Sequence, residues 1–590
     1  MRYSDLVDVY KKLESTSKRL EKTHIISEII KASSSSDLPK IVLMLQGKVF
    51  PNWDEKKIGV ASRLVVKAIN VATGINSRNI EKEWKKTGDL GIVAENLTSV
   101  KKQRTLLSQE LDVAKVFSNL RKLAEMVGTG TVDKKIQLIA ELMTSANPSE
   151  AKYIVRTILE ELRVGVGEGS LRDAIIWANF SEKLGIKYNR DENDIELDEE
   201  KRKEYNNYVE IIQRAYDLTN DFSSVAEITK EKGLDGLKKV DLIVGIPIKV
   251  MLAIKVDNIE EGFERVGTPA QIEYKYDGFR MQVHKKENKI WIFTRRLEHV
   301  TEQFPDVVKV IKEHVKGDSF IIDCEAVGYD SKSKRYLPFQ NISQRIKRKY
   351  YIDDIAKKFP VELDVFDVIY YNGESMINNP FEKRRALLEK IIKPKELKIV
   401  LAKGIVSGEK KKCEEFYNES VKAGNEGVMM KKLDAPYKPG SRVGYMVKLK
   451  TEKESLDVVV TEAEWGEGKR TNWLSSFTIA CIDENNNFIE IGKVSTGLKE
   501  KEEDSEGSFK QITEILKPLI IAEKGRKVKV KPEIVIEVSY EEVQKSPTYE
   551  SGFALRFPRF KRLRYIERRP EEIVTLKEIE DLYFEQKKRG

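Results

Sequence analysis

The sequence predicts a multidomain α+β protein with an all-helical N-terminal region, a mixed α/β middle region and a small β-barrel at the C-terminal end. A chain of 590 residues is too long for one hydrophobic core, so several domains are expected. Apolar residues make up 40% of the chain, which is enough to build globular cores. Their spacing changes near residues 240 and 453, which gives the expected domains 1–240, 241–453 and 454–590.

Helical spacing dominates residues 1–240, where strand-like alternation is scarce. The apolar residues of the first helix recur on one face behind a candidate N-cap at Ser4, and they are Leu6, Val9, Tyr10 and Leu13. A serine loop at 33–36 and further helices at 134–143 and 151–162 are also expected. This part of the chain is therefore predicted to be an all-helical domain.

Strand-like runs dominate from residue 241 onward. In 241–453 helical patches such as 381–392 lie between the runs, which is typical of a mixed α/β domain; the runs are 281–293, 320–329 and 361–371. In 454–590 the runs are short and separated by polar turns, which is typical of a small barrel; they are 456–463, 477–481, 488–494 and 534–538. The tail at 571–587 returns to helical spacing.

Composition excludes several protein classes. The three cysteines are widely spaced, which excludes a disulfide framework and a four-cysteine zinc module, and the four histidines show no metal-ligand spacing. No apolar run is long enough to span a bilayer and no signal peptide is visible, so a cytoplasmic protein associated with the nucleoid is expected. The net charge of +9 is modest. Between residues 555 and 569, however, seven basic residues face a single acid, which suits polyphosphate or a nucleic-acid backbone.

A short motif stands at the centre of the chain. Lys275-Tyr276-Asp277-Gly278 is followed by Arg280, two residues after the glycine. Such a pattern is weak evidence alone, because Lys232–Gly236 nearly reproduces it. Five further segments follow it in order, and they are 294–296, 322–327, 365–367, 425–431 and 448–450, with Arg442 ahead of the last. In this order they resemble the motifs of the covalent nucleotidyltransferases, which include DNA ligases, RNA ligases and mRNA capping enzymes.

The resemblance to one branch of that superfamily, the ATP-dependent DNA ligases of archaeal and eukaryotic type, covers nearly the whole chain. The segments that carry it outside the central motifs are 163–169, 247–253, 493–498 and 555–560. Two departures are visible: Val250 replaces the usual proline before the nucleophile, and Glu567-Arg568 stands where relatives carry an Asp-Lys pair, which leaves the roles of Glu567 and Arg568 open. The resemblance implies an OB-fold for the C-terminal barrel and a DNA-encircling role for the N-terminal helices.

Physical chemistry supports the residue types in the central motifs. A lysine amine attacks phosphorus only when it is uncharged, a state that nearby cations and desolvation favour. Lys275 is the expected nucleophile, and the cations expected to surround ATP are Arg280, Lys431, Lys448 and Lys450. Glu325 and Glu426 are hard oxygen ligands suited to Mg²⁺, with Mn²⁺ as a possible substitute. Phe366 offers a flat face for a purine, and Glu273 can accept a hydrogen bond from the adenine amino group.

The resemblance adds further site residues. It implies nucleotide binding by Met251, Arg295 and Arg442, and DNA binding by four residues, which are Arg163, Gly165, Arg556 and Arg559. Taken singly, each has an ordinary alternative: Phe366 on an alternating strand is usually core, and a lone Glu325, Arg295 or Arg442 is usually half of a surface ion pair. The functional interpretation is favoured only because these residues occur together in the ordered series of motifs.

The expected function is ATP-dependent sealing of nicks in double-stranded DNA through a lysyl-AMP intermediate and a DNA-adenylate, by a monomer with no membrane attachment. Residues 103–107 are faintly similar to a sliding-clamp binding motif, so a clamp is a candidate partner. An RNA-directed nucleotidyltransferase would share Lys275, but the long helical N-terminus and the ligase-like ending argue against it. A non-catalytic nucleic-acid scaffold would not need Lys275, Glu325 and Glu426 together.

Overall fold

A computed structural model describes most of the chain. The described residues are 1–54, 56–99, 110–126, 128, 130–337, 342, 345–346, 351–440, 443–450, 455–466, 470, 472–500 and 507–588. Two compact units are formed, the first by Met1–Cys413 with Met429–Lys448 and the second by Glu414–Val428 with Leu449–Gly590. Each unit is described by itself.

The N-terminal part of the first unit is helical, as predicted. Its helices are α1 Tyr3–Ser15, α2 Arg19–Ala32, α3 Leu38–Leu45, α4 Ser62–Thr73, α5 Ser77–Thr87, α6 Leu90–Ser99, α7 Val113–Glu125, α8 Thr131–Ser145, α9 Pro148–Ile158, α10 Glu168–Leu184, α11 Glu199–Thr219 and α12 Phe222–Lys238. The only strands among the described residues of this part are β1 Lys187–Asn189 and β2 Asp194–Glu196, which pair antiparallel. One continuous hydrophobic core joins these helices.

Helix α1 follows the predicted pattern but starts earlier than predicted. Leu6, Tyr10 and Leu13 are completely buried. The proposed N-cap at Ser4 is wrong, because the helix begins at Tyr3 and Arg2 occupies the cap position without a side-chain hydrogen bond. The Tyr3 N–H instead donates to the Leu111 carbonyl at 2.8 Å, so a tertiary contact satisfies this end of the helix. The serine loop at 33–36 lies between α2 and α3 as predicted.

A buried carboxyl on α11 gives this region a pH-dependent stability. Burial raises the pKa of Asp217 from 3.8 to about 6, although Gln213 donates a hydrogen bond of 2.9 Å to it. Because the folded pKa lies above the unfolded one, the carboxylate destabilises the fold above pH 6 and this penalty vanishes below pH 3.8. Asp217→Asn should therefore raise the free energy of unfolding at pH 8 by roughly 1–3 kcal/mol and flatten its dependence between pH 4 and 6. Thermal unfolding at a series of pH values measures this difference in stability. A variant that was less stable than the unaltered chain at pH 8 would contradict the explanation.

The chain from β3 to β14 is built on two sheets, and most of its residues belong to the first unit. The elements are β3 Ile254–Val256, α13 Ile259–Val266, β4 Ala270–Lys275, β5 Phe279–Lys286, β6 Lys289–Thr294, α14 Pro305–His314, β7 Ser319–Tyr329, β8 Tyr336–Leu337, α15 Ile352–Lys358, β9 Val361–Tyr371, β10 Glu374–Ser375, α16 Phe381–Ile391, β11 Ile399–Leu401, β12 Gly404–Ser407, α17 Lys410–Lys422, β13 Gly427–Lys432 and β14 Met446–Lys450. One sheet has the order β10-β9-β7-β5-β6, with β11 on β9 and β8 on β7, and the other has the order β12-β4-β13-β14-β3. The mixed α/β prediction is confirmed.

The larger sheet has one apolar face and one polar face. Alternate residues of β5, such as Met281 and Val283, join the apolar core beneath the sheet. The residues between them on β5, together with their cross-strand partners on β7 and β9, are largely polar, and they are Arg280, Gln282, His284, Asp323, Glu325 and Asp364. A sheet face with this many buried polar groups needs hydrogen-bond partners above it.

The second unit is rich in strands. Its elements after β14 are β15 Ser455–Trp465, β16 Leu474–Ile482, β17 Phe488–Val494, α18 Phe509–Leu516, β18 Ile520–Lys524, β19 Lys527–Val530, β20 Val535–Ser539, β21 Glu542–Lys545, β22 Phe553–Arg556, β23 Arg559–Leu563 and α19 Leu576–Lys588. The long strand β15 pairs with β16 along one edge and with β19 and then β20 along the other. The predicted strands and the helical tail are therefore present, and the OB-fold assignment stays a prediction. Among the described helices, none is long and apolar enough to cross a membrane.

Candidate active site

Strand β4 carries the expected nucleophile at its last residue. Lys275 is half-buried, and because side chains two apart share a strand face, it points to the same side as Glu273. The chain then turns through Tyr276, Asp277 and Gly278 into β5. This turn is tied down, since the Tyr276 hydroxyl accepts from the Lys403 N–H at 3.0 Å and bonds to the Asp364 carboxyl. The backbone on either side of Lys275 is thus fixed to other elements.

Gly278 is required because β7 runs very close to this turn. A Cβ on Gly278 would lie 2.5 Å from the Ala326 carbonyl oxygen and 2.9 Å from Cγ of Glu325. A backbone oxygen on a central strand cannot move aside cheaply. Only glycine therefore lets the turn after Lys275 approach the strand that carries Glu325.

Gly278→Ala should slow self-adenylylation by about 10- to 100-fold, because a shift of the turn by even part of an ångström misplaces the nucleophile. The rate of AMP incorporation from labelled ATP, without DNA, measures this. Gly167→Ala is the matched control, since a Cβ there meets no atom within 4 Å. Equal rates for Gly278→Ala and the unaltered chain would contradict the close-approach explanation.

Glu273 is clamped by two cations. Its Oε2 lies 2.5 Å from Nζ of Lys431, and its Oε1 lies 3.2 Å from Nη1 of Arg385. The carboxylate is 2% exposed. The Lys431 ammonium also lies 4.8 Å from the centre of the Phe366 ring, and it donates to the Phe366 carbonyl at 3.5 Å. The structure therefore brings Glu273, Lys431 and Phe366 together, with Lys431 engaged by protein groups.

Arg280 belongs to a chain of hydrogen bonds across the polar sheet face, which we call the polar row. The row consists of His284, Gln282, Asp323, Arg280 and Tyr437. Arg280 pairs with Asp323, and its Nη2 also donates to the Tyr437 hydroxyl at 3.3 Å. Its buried Nη1 has no hydrogen-bond partner among the described residues. One donor thus remains for a ligand while the rest of the guanidinium is fixed.

The polar row also fixes the segment that carries Met251. The Met251 N–H donates to the Tyr437 hydroxyl at 3.3 Å, and the Ile248 N–H donates to Oε1 of Gln282 at 2.7 Å. At the far end, Nδ1 of His284 accepts from the Gly245 N–H at 3.0 Å, so the ring proton sits on Nε2. Residues 245–251 are therefore attached to the polar row at three points.

Burial sets the charge states within the row. It lowers the pKa of His284 to about 3, with help from the nearby Arg280 guanidinium, so the imidazole is neutral at physiological pH. Burial alone would lower the pKa of Arg280, but the Asp323 carboxylate outweighs it and holds that pKa above its ordinary value. Arg280 therefore stays charged in a row that contains a neutral His284.

Glu325 lies beside this row, on the strand that faces the turn after Lys275. It is half-buried, and it is the cross-strand partner of Arg280 on one side and of Asp364 on the other. Burial, with the Glu362 and Glu325 carboxylates nearby, raises the pKa of Asp364 well above its ordinary range. Carboxyl groups are thus crowded around Glu325, and a divalent cation would offset their mutual repulsion.

The remaining predicted nucleotide residues of the first unit are distributed as follows. Arg295 is exposed in the turn after β6, where the Thr294 hydroxyl accepts from the Arg296 N–H at 3.2 Å. Lys448 is half-buried on β14. Arg442 lies outside the described residues. The roles of Arg295 and Lys448 in nucleotide binding stay predictions.

In the second unit, Glu426 and Lys450 form an ion pair. The Lys450 Nζ lies 2.6 Å from the Glu426 carboxylate and 4.0 Å from that of Glu541. The glycine after Glu426 is obligatory, since Gly427 has a φ of +138° and a Cβ there would lie 2.1 Å from the Leu449 carbonyl oxygen. The Glu-Gly pair and the second lysine of the Lys-x-Lys motif are therefore held against each other.

Comparisons with known proteins identify the family. Family models match three parts of the chain: "DNA ligase N terminus" at residues 2–176, "ATP dependent DNA ligase domain" at 250–450 and "ATP dependent DNA ligase C terminal region" at 470–565. A DNA ligase of Nanoarchaeum equitans (strain Kin4-M) is 48% identical over 585 residues, covering 99% of this chain and 98% of the relative. The chain belongs to the ATP-dependent DNA ligases. It uses ATP to seal nicks in DNA, as the sequence predicted.

Further comparisons agree with this ligase assignment. A DNA ligase of Thermococcus onnurineus (strain NA1) is 40% identical over 584 residues, covering 99% of this chain and 98% of the relative. A solved structure titled "Pmar-Lig_Pre." aligns with a TM-score of 0.53 at 18% identity, over 95% of this chain and 99% of that one. At that identity the structure supports the multidomain fold of the ligase and nothing finer.

The loop of this ligase that was predicted to contact DNA has a strained backbone. Arg163 has a φ of +61°, a backbone angle that residues other than glycine rarely adopt, and Gly165 has a φ of +64°. The Arg163 guanidinium is engaged by Glu161 at 2.7 Å and by Asp89 at 3.5 Å. Lys22 donates to the Val164 carbonyl at 2.6 Å. The loop is therefore held in one conformation, which suits backbone contacts to phosphates.

The predicted DNA-binding residues of the second unit differ in exposure. Arg556 is partly buried on β22, and its Nη1 pairs with Glu542 at 2.9 Å. Arg559 is exposed on β23. Arg559 is thus accessible to a phosphate as the structure stands, whereas Arg556 would exchange one anionic partner for another.

Sequence reasoning missed three residues of the site: Asp323, Arg385 and Tyr437. Asp323 stood two places before Glu325 in a recognised segment, and its burial within an apolar strand was the available signal. Arg385 and Tyr437 lie outside the motifs. Only the folded structure brings Arg385 of α16 to Glu273 and brings Tyr437 to Arg280.

Proposed function

We propose that Lys275 is the nucleophile of this ligase and that the cleft over the polar sheet face binds ATP. The Nζ of Lys275 attacks the α-phosphorus of ATP, a phosphorus–nitrogen bond forms, and pyrophosphate leaves. The AMP then passes to the 5′-phosphate of a nick, and the 3′-hydroxyl attacks that phosphate and expels AMP. The observation that carries this proposal is the position of Lys275, at the end of a strand whose same face bears the clamped Glu273.

The protein groups would act mainly by fixing charge and position. Arg280 keeps one buried donor that can reach a nucleotide oxygen, and Phe366 offers its ring to the base. Glu273 is an acceptor for the adenine amino group. Positively charged groups near the triphosphate stabilise the charge on phosphate oxygens. Lys448, Lys450, Arg295, Arg442 and Met251 complete the proposed nucleotide set.

Mg²⁺ fits the carboxylates of this chain. Among the described residues, no group of three or more His, Cys, Asp or Glu side chains is arranged to hold a metal ion. Mg²⁺ does not need such a group, because it usually binds through one or two carboxylates together with the phosphates of a substrate. Glu325 is the proposed ligand near Lys275, and Glu426 is proposed from its motif, with Mn²⁺ as a substitute. The metal would offset charge on the phosphates.

The wider context of the ligase is also proposed. Arg163, Gly165, Arg556 and Arg559 would contact the DNA backbone, and the protein would act as a monomer in the cytoplasm at the nucleoid. The domains would be 1–240, 241–453 and 454–590, with a hinge at 450–453. Residues 451–453 lie outside the described residues, as do the candidate clamp-binding residues 103–107.

The test is transfer of label from ATP marked on its α-phosphate. The full chain should gain one AMP in the presence of Mg²⁺, prefer ATP to GTP, and lose the label when nicked DNA is added. Sealing should be faster for a DNA strand than for an RNA strand opposite the same template. A chain that gains GMP in preference to AMP, or that seals only RNA, would overturn the proposal.

A further inference from the structure

Glu273 has an unusual surrounding for a group expected to recognise a neutral base. Two cations, Arg385 and Lys431, face one carboxylate, one on each oxygen. Both cations are largely buried, with side-chain exposures of 15% and 6%. The pairing with two cations leaves the Glu273 carboxylate as a hydrogen-bond acceptor.

Arg385 is anchored so that its position depends on the strand that bears the nucleophile. Its Nη2 donates to the Ala402 carbonyl at 3.0 Å. The next residue, Lys403, accepts from the Tyr274 N–H at 3.0 Å and donates to the Tyr276 hydroxyl at 3.0 Å. Arg385 therefore connects helix α16, the loop before β12 and the Glu273 side chain in one rigid group.

Lys431 and Arg385 contribute differently to the clamp. The Lys431 ammonium lies between two aromatic rings, 4.8 Å from the centre of Phe366 and 4.7 Å from that of Phe381. Its removal would disturb the packing of both rings. Arg385 approaches the other oxygen from the side of α16. An Arg385 variant therefore leaves the contacts of Lys431 with Phe366 and Phe381 in place.

We infer that Arg385 is a specificity-determining residue, which aims the Glu273 carboxylate at the 6-amino group of adenine. The inference rests on the proposed function and extends it. A carboxylate oxygen accepts two hydrogen bonds, so each oxygen keeps one acceptor site after its cation is bound. Adenine presents a donor at position 6, whereas guanine presents an oxygen that Glu273 would repel. Without Arg385, only one oxygen of the Glu273 carboxylate is bound by a cation, so the carboxylate can rotate away from the 6-amino group.

The test compares ATP with purine riboside triphosphate, which lacks the 6-amino group, and with GTP. Single-turnover self-adenylylation of the full chain is measured across nucleotide concentrations for Arg385→Met and Arg385→Lys. In the unaltered chain, loss of the amino group should lower the rate at low nucleotide by roughly 10- to 100-fold. In Arg385→Met, the rates with ATP and with purine riboside triphosphate should differ by no more than about threefold. The preference for ATP over GTP should also fall about tenfold.

The rate at saturating ATP should stay within about threefold of the unaltered chain, since Arg385 does not contact the reacting atoms. Arg385→Lys keeps the charge and should restore part of the discrimination. Lys383→Met, an exposed change on the same helix, is the matched control and should leave all three nucleotides unaffected.

A merely structural role would give a different pattern. The inference would be overturned if Arg385→Met slowed the reactions with ATP and with purine riboside triphosphate by the same factor, so that the loss of the 6-amino group cost as much as in the unaltered chain. The proposed function would still stand. If the unaltered chain gained no AMP at all, the proposed function would fail and the inference with it. The two failures are therefore separable.

Discussion

Lys275→Ala should abolish covalent labelling by ATP and reduce nick sealing by at least about 10³-fold. Alanine has no lone pair with which to form the phosphorus–nitrogen bond, and two of the neighbouring cations are already paired. Arg280 is bound to Asp323, and Lys431 is bound to Glu273. The measurement is the intact mass after exposure to ATP and Mg²⁺, followed by sealing of a nicked duplex.

The chain supplies its own control for this experiment. Lys232 begins the near-copy of the motif at 232–236, but it is exposed on α12. Lys232→Ala should label and seal as the unaltered chain does. Lys275→Ala should also retain measurable sealing of a nick that already carries AMP on its 5′-phosphate, because that step needs no lysine lone pair. Label retained by Lys275→Ala would show that another residue is the nucleophile.

Local patterns in the sequence were enough to predict the fold class and a number of its helices and strands. The run at 361–371 and the run at 488–494 coincide with β9 and β17. Both strands were predicted from the alternation of neighbouring residues, a pattern that is contained within the segment itself. The predicted cap at Ser4 failed because a contact between Tyr3 and Leu111, far apart in sequence, decided where α1 begins.

Strand β9 shows the limit of local patterns. Val361, Leu363 and Val365 face the core as the alternation predicted. The pairing with β7 then shifts, so that Asp323 lies opposite Asp367 and Cys324 opposite Val365, which leaves Phe366 without a partner. This bulge changes the direction of the following side chains. Two-residue periodicity contains no signal for such an insertion.

The candidate site was predictable only in part for a similar reason. Motif order named Lys275, Glu273 and Glu325, because chemistry at a nucleotide restricts residue types. The contacts that hold these residues come from elements far away in sequence, such as Arg385 on α16 and Tyr437 before β14. Neither residue belongs to a spaced motif. Their roles therefore emerge only when the distances are known.

The bulge in β9 has a further consequence, which gives the largest expected effect on stability. It turns Asp367 toward α16, where the carboxylate binds Arg384 through two hydrogen bonds of 2.7 and 3.0 Å. Arg384 is 1% exposed, and its Nη1 also donates to the Ala435 carbonyl at 3.1 Å. Both charges are thus removed from water and depend on each other.

Asp367→Leu should destabilise the protein by about 3–5 kcal/mol, because it leaves a buried guanidinium without its anion. Adding Arg384→Met to the same chain should recover part of that loss, since two apolar side chains need no counter-charge and only the backbone carbonyls lose a donor. Thermal unfolding of the full chain, followed together with ATP labelling, measures both effects. Glu313→Ala removes an exposed partner of Lys309 at 3.9 Å and should change little. If the double variant were less stable than Asp367→Leu by the full cost of a second lost interaction, the two side chains would be contributing independently, and burial of unpaired charge would not be the cause.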